Sequence, residues 1–258
     1  MQFPAGWIVP DWPLPAGVQA VCTTREGGLS EGPHASLNLG DHVGDAAQAV
    51  SANRRIFAAA LQARPVFMRQ VHGTGVAHVS CATADGVQAD ACVTTDAGIV
   101  CTIMVADCLP VLFATVDGQA VAAAHAGWRG LAGSAGEGVL ETACRALWAA
   151  GGTGAADTLA WLGPCIGPQA FEVGPEVKAA FAANDPGCAA LFMPHGNGKW
   201  LADLPRLARR RLRALGVERI HGNDGGTDWC TVADPSRFFS HRRDRGISGR
   251  FAAAIWRR

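Results

Sequence analysis

The sequence predicts an α/β (α+β) fold, and three features of its patterning say so. Residues 99–106 and 111–116 are continuous apolar runs, as expected of strands buried on both faces. Residues 46–62 carry Val50, Ile56, Phe57 and Leu61 on one side of a helical repeat. Strand-like and helix-like segments then follow one another to the C-terminus with no internal repeat or low-complexity linker. One domain spanning residues 1–258 is therefore expected.

Taken in order, residues 7–24 are broken by Pro10, Pro13 and Pro15 and continue as a strand over 18–24. Residues 25–45 are polar and glycine-rich, which is loop chemistry. After the helix over 46–62, a strand over 66–71 delivers His72 into a turn. The runs 99–106 and 111–116 are strands. Asp117-Gly118 signals a hairpin, and 120–124 returns as a strand that delivers His125. A helix is predicted over 131–150, a strand over 158–162 and a helix over 174–183. A further helix covers 200–216, with Asp203 as its N-cap and Pro205 in its first turn. Its basic residues Arg206, Arg209, Arg210, Arg211 and Arg213 are read as a solvated face. Residues 238–244 and 249–256 read as a strand, a turn and a last strand.

Composition narrows the function classes. Hydrophobic residues make up 49% of the chain and charged residues 17%, enough for a large core. Lys plus Arg equals Asp plus Glu at 22 each, so no basic excess points to nucleic acid. No apolar run reaches the roughly 18 residues of a membrane span. Met1-Gln2-Phe3-Pro4 lacks the basic and apolar regions of a signal peptide. A cytoplasmic monomer acting on small molecules is expected. Nine cysteines in a chain of this size do not suggest a disulfide framework, and no Cys-x-x-Cys pair occurs. Most are read as small buried hydrophobes, Cys165 among them.

Three residues stand apart. His72, Cys108 and His125 each lie where an apolar strand runs into a turn marked by Gly or Pro. If they converge they form a His/Cys/His site without a fourth protein ligand, and a catalytic metal site keeps such a position open. Zinc there could acidify a water or polarise a substrate oxygen. Without metal, Cys108 would be a nucleophile and His125 or His72 its base; the residues alone leave both readings open. Asp107, next to Cys108, and Asp90 are read as groups that support the site or touch substrate. Arg129 in Gly127-Trp128-Arg129-Gly130, at a helix start, could hold phosphate. Arg242, Arg243 and Arg250 form a second candidate anion site, and Asn38 and His42 lie in a loop that could reach a substrate. There are no His-x-His pairs, no deaminase His-x-Glu with Pro-Cys-x-x-Cys signature, no Walker A motif and no dinucleotide fingerprint.

Several segments carry a resemblance when taken together and in order. They are Ser36-Leu37-Asn38-Leu39 with His42-Val43-Gly44-Asp45, Gln70-Val71-His72-Gly73, Ala89-Asp90-Ala91, Ala106-Asp107-Cys108-Leu109-Pro110 and His125-Ala126-Gly127-Trp128-Arg129-Gly130. Gly163-Pro164-Cys165-Ile166-Gly167, Cys230-Thr231, Phe239-Ser240, Arg242-Arg243 and Gly249-Arg250 complete the set. As a set they closely resemble the YfiH family, also called the multicopper polyphenol oxidase or laccase-like family. The resemblance implies a layered α/β/β/α domain with mixed sheets, similar to the catalytic domain of cytotoxic necrotising factor. It implies a metal site at His72, Cys108 and His125, holding Zn²⁺, with Cu²⁺ as the other ion such ligands take. It further implies zinc-dependent phosphorolysis of adenosine, inosine and methylthioadenosine, together with adenosine deamination. Copper-dependent phenol oxidation, or Cys-dependent amide hydrolysis on a peptidoglycan precursor, is the alternative. Two departures, His241 for the usual Tyr and Cys92 for an aliphatic residue, bear on substrate preference and not on the ligands.

Overall fold

The computed structural model describes residues 3–258. Met1 and Gln2, where the N-terminal reading begins, lie outside the described residues. In chain order the first elements are strand β1 (Val18–Cys22), helix α1 (Ala47–Leu61), and strands β2 (Arg64–Phe67), β3 (Val76–His78), β4 (Ala91–Thr94), β5 (Ile99–Val105), β6 (Leu109–Thr115) and β7 (Val121–Ala126). Helices α2 (Trp128–Ala132) and α3 (Val139–Gly151) follow, then β8 (Thr158–Leu162), β9 (Glu172–Val173) and α4 (Pro175–Ala182). The chain ends with β10 (Phe192–Pro194), β11 (Trp200–Ala202), α5 (Leu204–Ala214), β12 (Arg219–Gly222) and β13 (Phe251–Arg257).

Two main sheets stack. One has the order β1-β13-β5-β2 and the other β12-β8-β6-β7-β4-β3; a three-stranded sheet, β10-β11-β9, lies apart. The alternation of side chains along each central strand builds the layers. On β13, Phe251, Ala253 and Ile255 enter the core shared by the two sheets, whereas Ala252, Ala254 and Trp256 face α1 with Phe57 and Leu61. On β6, Leu112 and Ala114 face that shared core, whereas Leu109, Val111 and Phe113 face the helical side with Leu140, Leu147 and Leu207. The result is the expected α/β/β/α order. Both sheets are covered on both faces, which is why the strands read as unbroken apolar runs.

Several local expectations are revised. The helix over 131–150 is two helices. Gly133 adopts φ 65 and a Cβ there would lie 1.9 Å from the Glu137 carbonyl oxygen, so a tight turn interrupts it. Residues 200–202 are a strand, and the helix starts after Asp203, whose carboxylate accepts the Arg206 N–H as an N-cap. Its arginines are not a uniformly solvated face. Arg211 is buried on Glu141 (2.7 Å), Arg210 pairs with Asp185, and Arg209 donates to the carbonyls of Ile220, His221, Gly222 and Asn223. Residues 238–244 are an irregular stretch followed by a turn, not a strand, with Phe238 and Phe239 buried. Among the described residues no helix is long and apolar enough to cross a membrane.

Candidate metal centre

The site lies at one end of the stacked sheets because of strand direction. β7 is antiparallel to both β6 and β4, so the end of β7 meets the beginnings of the other two. His125 on β7 therefore lies opposite Pro110 on β6, and its N–H donates to the carbonyl of Asp90, which precedes β4. Between β5 and β6 the chain crosses from one sheet to the other through Ala106, Asp107 and Cys108. That tight passage holds Asp107 at φ 87. His72 arrives from the opposite sheet, in the loop after β2, at φ 61.

The three side chains converge as expected. One donor atom from each of His72, Cys108 and His125 lies within 4.8 Å of the others, and Cys108 Sγ is 3.8 Å from His72 Nε2. Around a tetrahedral zinc, ligand atoms lie about 3.5 Å apart, so the donor set fits the ion with a small inward movement. Gly127 leaves the room. A Cβ there would sit 2.8 Å from the His72 ring and 3.0 Å from Cys108 Sγ. A Cβ on Gly130 would lie 2.7 Å from the Gly73 carbonyl oxygen, so the second glycine lets α2 pack on the His72 loop.

Asp90 organises two of the three ligands. Its fully buried carboxylate accepts the N–H groups of Val71 (3.1 Å), His72 (2.8 Å) and Gly73 (2.7 Å). It also accepts Nδ1–H of His125 at 2.8 Å, which turns His125 Nε2 toward the ligand group. Burial works against its charge, but the His125 bond and the Gly73 and Val71 N–H groups outweigh it and lower its pKa. Burial likewise opposes the Cys108 thiolate. The charge and hydrogen bonds of His125 and then His72 overcome this and pull the thiol from 9.0 down to about 6. His125 moves oppositely, to about 9, because Cys108 and Asp90 outweigh the effect of burial. Without metal, thiolate and imidazolium sustain each other.

Asp107 turns away from the ligands. Its carboxylate accepts the Thr231 hydroxyl (2.5 Å) and the Arg242 N–H (2.6 Å), which ties the 240–250 loop to the β5–β6 passage. The ligands open into a cavity of about 340 Å³ that is also lined by His42, Arg129, Arg242 and Arg250. Gln70, Trp128, Phe171 and His241 are also in its walls, as is Asp107.

Two expected substrate contacts lie elsewhere. Asn38 is fully buried, with its amide engaged by Gly40, Asp45 and the Arg250 N–H. It ties the loop together and does not line the cavity. Arg243 points inward to Asp244 and to the carbonyls of Thr231 and Phe238, so the Nε–Nη2 edge of its fork is taken by Asp244 and it does not line the cavity. α2 has a single turn, so the backbone at its start is a weaker anion binder than the predicted long helix would provide. Nothing in their sequence spacing marks Gln70 and Trp128 as cavity residues. Gln70 pairs its amide with both backbone groups of Met104, a long-range contact that no sequence spacing announces.

The sequence model of the multi-copper polyphenol oxidoreductase laccase family matches residues 19–258. The chain belongs to this family, the YfiH family. A Pseudomonas aeruginosa relative named purine nucleoside phosphorylase is 49% identical, over 97% of this chain and 98% of its own length. YfiH of Escherichia coli, named likewise, is 48% identical over 96% and 98%. Among solved structures, a Neisseria meningitidis protein superposes with a TM-score of 0.89 at 44% identity, covering 98% of this chain and 99% of its own. YlmD of Geobacillus stearothermophilus also gives 0.89, at 33% identity, covering 100% and 98%. The YfiH fold is thus the fold of this chain.

Proposed function

We propose that this YfiH-family chain is a zinc-dependent purine nucleoside phosphorylase acting on adenosine, inosine and methylthioadenosine, with adenosine deaminase activity. The observation that carries the reading is the convergence of His72, Cys108 and His125, with one side open, on a cavity rimmed by arginines. The names of the relatives from Pseudomonas aeruginosa and Escherichia coli support the reaction class. When bound, the ion supplies Lewis acidity toward water or a substrate oxygen.

The chain's own groups divide the remaining work. His72, Cys108 and His125 would hold the ion; Asp90 fixes the direction of the His125 ring and the backbone of the loop that carries His72. Arg129 and Arg242 draw phosphate to the cavity. Trp128 and Phe171 give apolar surface against which a purine can pack. In phosphorolysis a phosphate oxygen bonds to C1′ as the C1′–N9 bond breaks, and the base leaves with the electron pair and takes up a proton. Asp107 stays with Thr231 and positions Arg242 through its main chain.

The test is metal content by elemental mass spectrometry on untagged protein, with phosphate-dependent adenosine and inosine turnover on the same sample. About one zinc per chain is expected, with turnover lost on chelation and restored by zinc. Full turnover by Cys108→Ala would overturn the reading. A second reading is favoured by one observation, the depressed Cys108 pKa beside two histidines. There Cys108 attacks an amide carbon directly, and activity would survive chelation but not thiol alkylation. Copper, which the family description names, would be tested by the same metal analysis together with phenol oxidation.

A further inference from the structure

We propose that Arg250 is the anion-binding group inside the cavity and that it holds the attacking phosphate, while the exposed Arg129 acts at the rim. The proposal rests on the phosphorylase reading above and adds to it the seat of the second substrate. Arg250 is set in place from several sides. Its N–H donates to Asn38 Oδ1 (2.8 Å), and its carbonyl accepts the Leu39 N–H (3.0 Å). A Cβ on Gly40 would lie 2.8 Å from its Cγ, so that glycine makes room for the stem. Nη1 is held by the carbonyls of Ser248 (2.8 Å) and Gly249 (3.0 Å). Nε and Nη2 have no hydrogen-bond acceptor among the described residues, and no carboxylate lies within 4.0 Å. Those two groups form one edge of the guanidinium fork, the edge that takes two phosphate oxygens.

Arg250 is half-buried and its cation has no carboxylate partner, so an anion at the free edge of the fork would be bound by charge-assisted hydrogen bonds. The negative groups that act on Arg250 are Cys108 and Asp107. Cys108 belongs to the metal ligands, and the Asp107 oxygens already accept from Thr231 and Arg242. His42 stands in the same wall and loses proton affinity partly to Arg250, so the two are neighbours. The other candidates differ. Arg129 is exposed and stacked 4.4 Å over Trp128, Arg243 has its Nε–Nη2 edge occupied by Asp244, and Arg242 is exposed with Nη1 on the Glu172 carbonyl. Arg250 makes and breaks no covalent bond. It fixes the phosphate while one oxygen bonds to C1′ and the proton of hydrogen phosphate ends on the departing base.

The experiment measures inorganic phosphate binding by calorimetry on zinc-loaded protein, and separate KM values for phosphate and inosine, in wild type, Arg250→Gln, Arg250→Lys and Arg129→Gln. Circular dichroism and zinc content show that each variant is folded. Arg250→Gln is expected to weaken phosphate binding and raise the phosphate KM by about tenfold or more, with the inosine KM moving less than about threefold. Arg250→Lys should fall between, and Arg129→Gln should change phosphate KM less, by an amount that shrinks with salt. Unchanged phosphate binding in Arg250→Gln, a larger loss in Arg129→Gln, or no phosphate binding by wild type would overturn the proposal. Phosphate binding that depends on Arg250 without any nucleoside turnover would support the subsite and sink the phosphorylase reading instead.

Discussion

The cavity has two walls built on different principles. The candidate ligand wall stands on β7, the β5–β6 passage and the loop after β2, where the strand stops at Phe67 and not at Val71 as expected, and it is over-determined: one buried carboxylate, Asp90, receives three backbone N–H groups and one imidazole. The arginine wall stands on the loops around residues 38–45 and 240–250, where Asn38 and Asp107 join segments far apart in sequence, and on α2, which carries Arg129. The first wall gathers three donor atoms within 4.8 Å of one another. The second sets charge and leaves two arginine heads exposed to solvent. Such a division suits a site that must keep one partner and exchange another.

The largest effect should come from the ligands. His125→Ala or Cys108→Ala is expected to lose bound zinc and lower turnover by more than about a hundredfold, beyond what loss of a ligand's supporting hydrogen bond costs. Metal analysis and turnover on the same samples check this, and retained zinc in either variant would break the contrast between walls. Asp90→Asn keeps the shape but places an amide N–H among donors. Zinc affinity should drop about 10–100-fold, measured by competition with a chromogenic chelator. Asn38→Ala acts on the other wall alone. It should raise the phosphate KM several-fold and cost about 1–3 kcal/mol of stability through the unpaired Arg250 and Gly40 N–H groups, with zinc content unchanged. Loss of zinc in this variant would show that the walls are one unit.

The smallest effect concerns protons in the metal-free protein. The Cys108 pKa is depressed to about 6, so its stabilising contribution is present above the ordinary 9.0 and is lost as pH falls through about 6. His125 is raised to about 9, so its contribution is full below 6.5 and is lost as pH rises through about 9. Alkylation of Cys108 by iodoacetamide should therefore reach half its maximal rate near pH 6. A midpoint near the ordinary thiol value would show that the histidines do not hold the thiolate.

These two walls also differ in how far the sequence reveals them. His72, Cys108 and His125 were visible because each ends an apolar run beside Gly or Pro, a signal confined to a few residues. The layered fold was visible in the same way, since strands covered on both faces leave long apolar stretches. The arginine wall was not. Arg243 and Arg250 look alike in sequence, yet Asp244 and two carbonyls consume one while the other keeps a free edge. Asn38 reads as a polar loop residue, and nothing in the sequence announces its contact with Arg250, 212 positions away, which joins its loop to the other half of this wall. The arginines of α5 misled for the same reason, because their partners Glu141 and Asp185 come from distant segments.

The passage from β5 to β6 has one more consequence. His72 arrives from the four-stranded sheet and His125 belongs to the six-stranded sheet, so an ion held by both would rivet the two layers together at this end. Sliding one layer over the other would pull the triangle of donors apart. Substrate would then reach the site through the open side of the cavity, past the exposed Arg129 and Arg242, with the layers beneath held together by the ion.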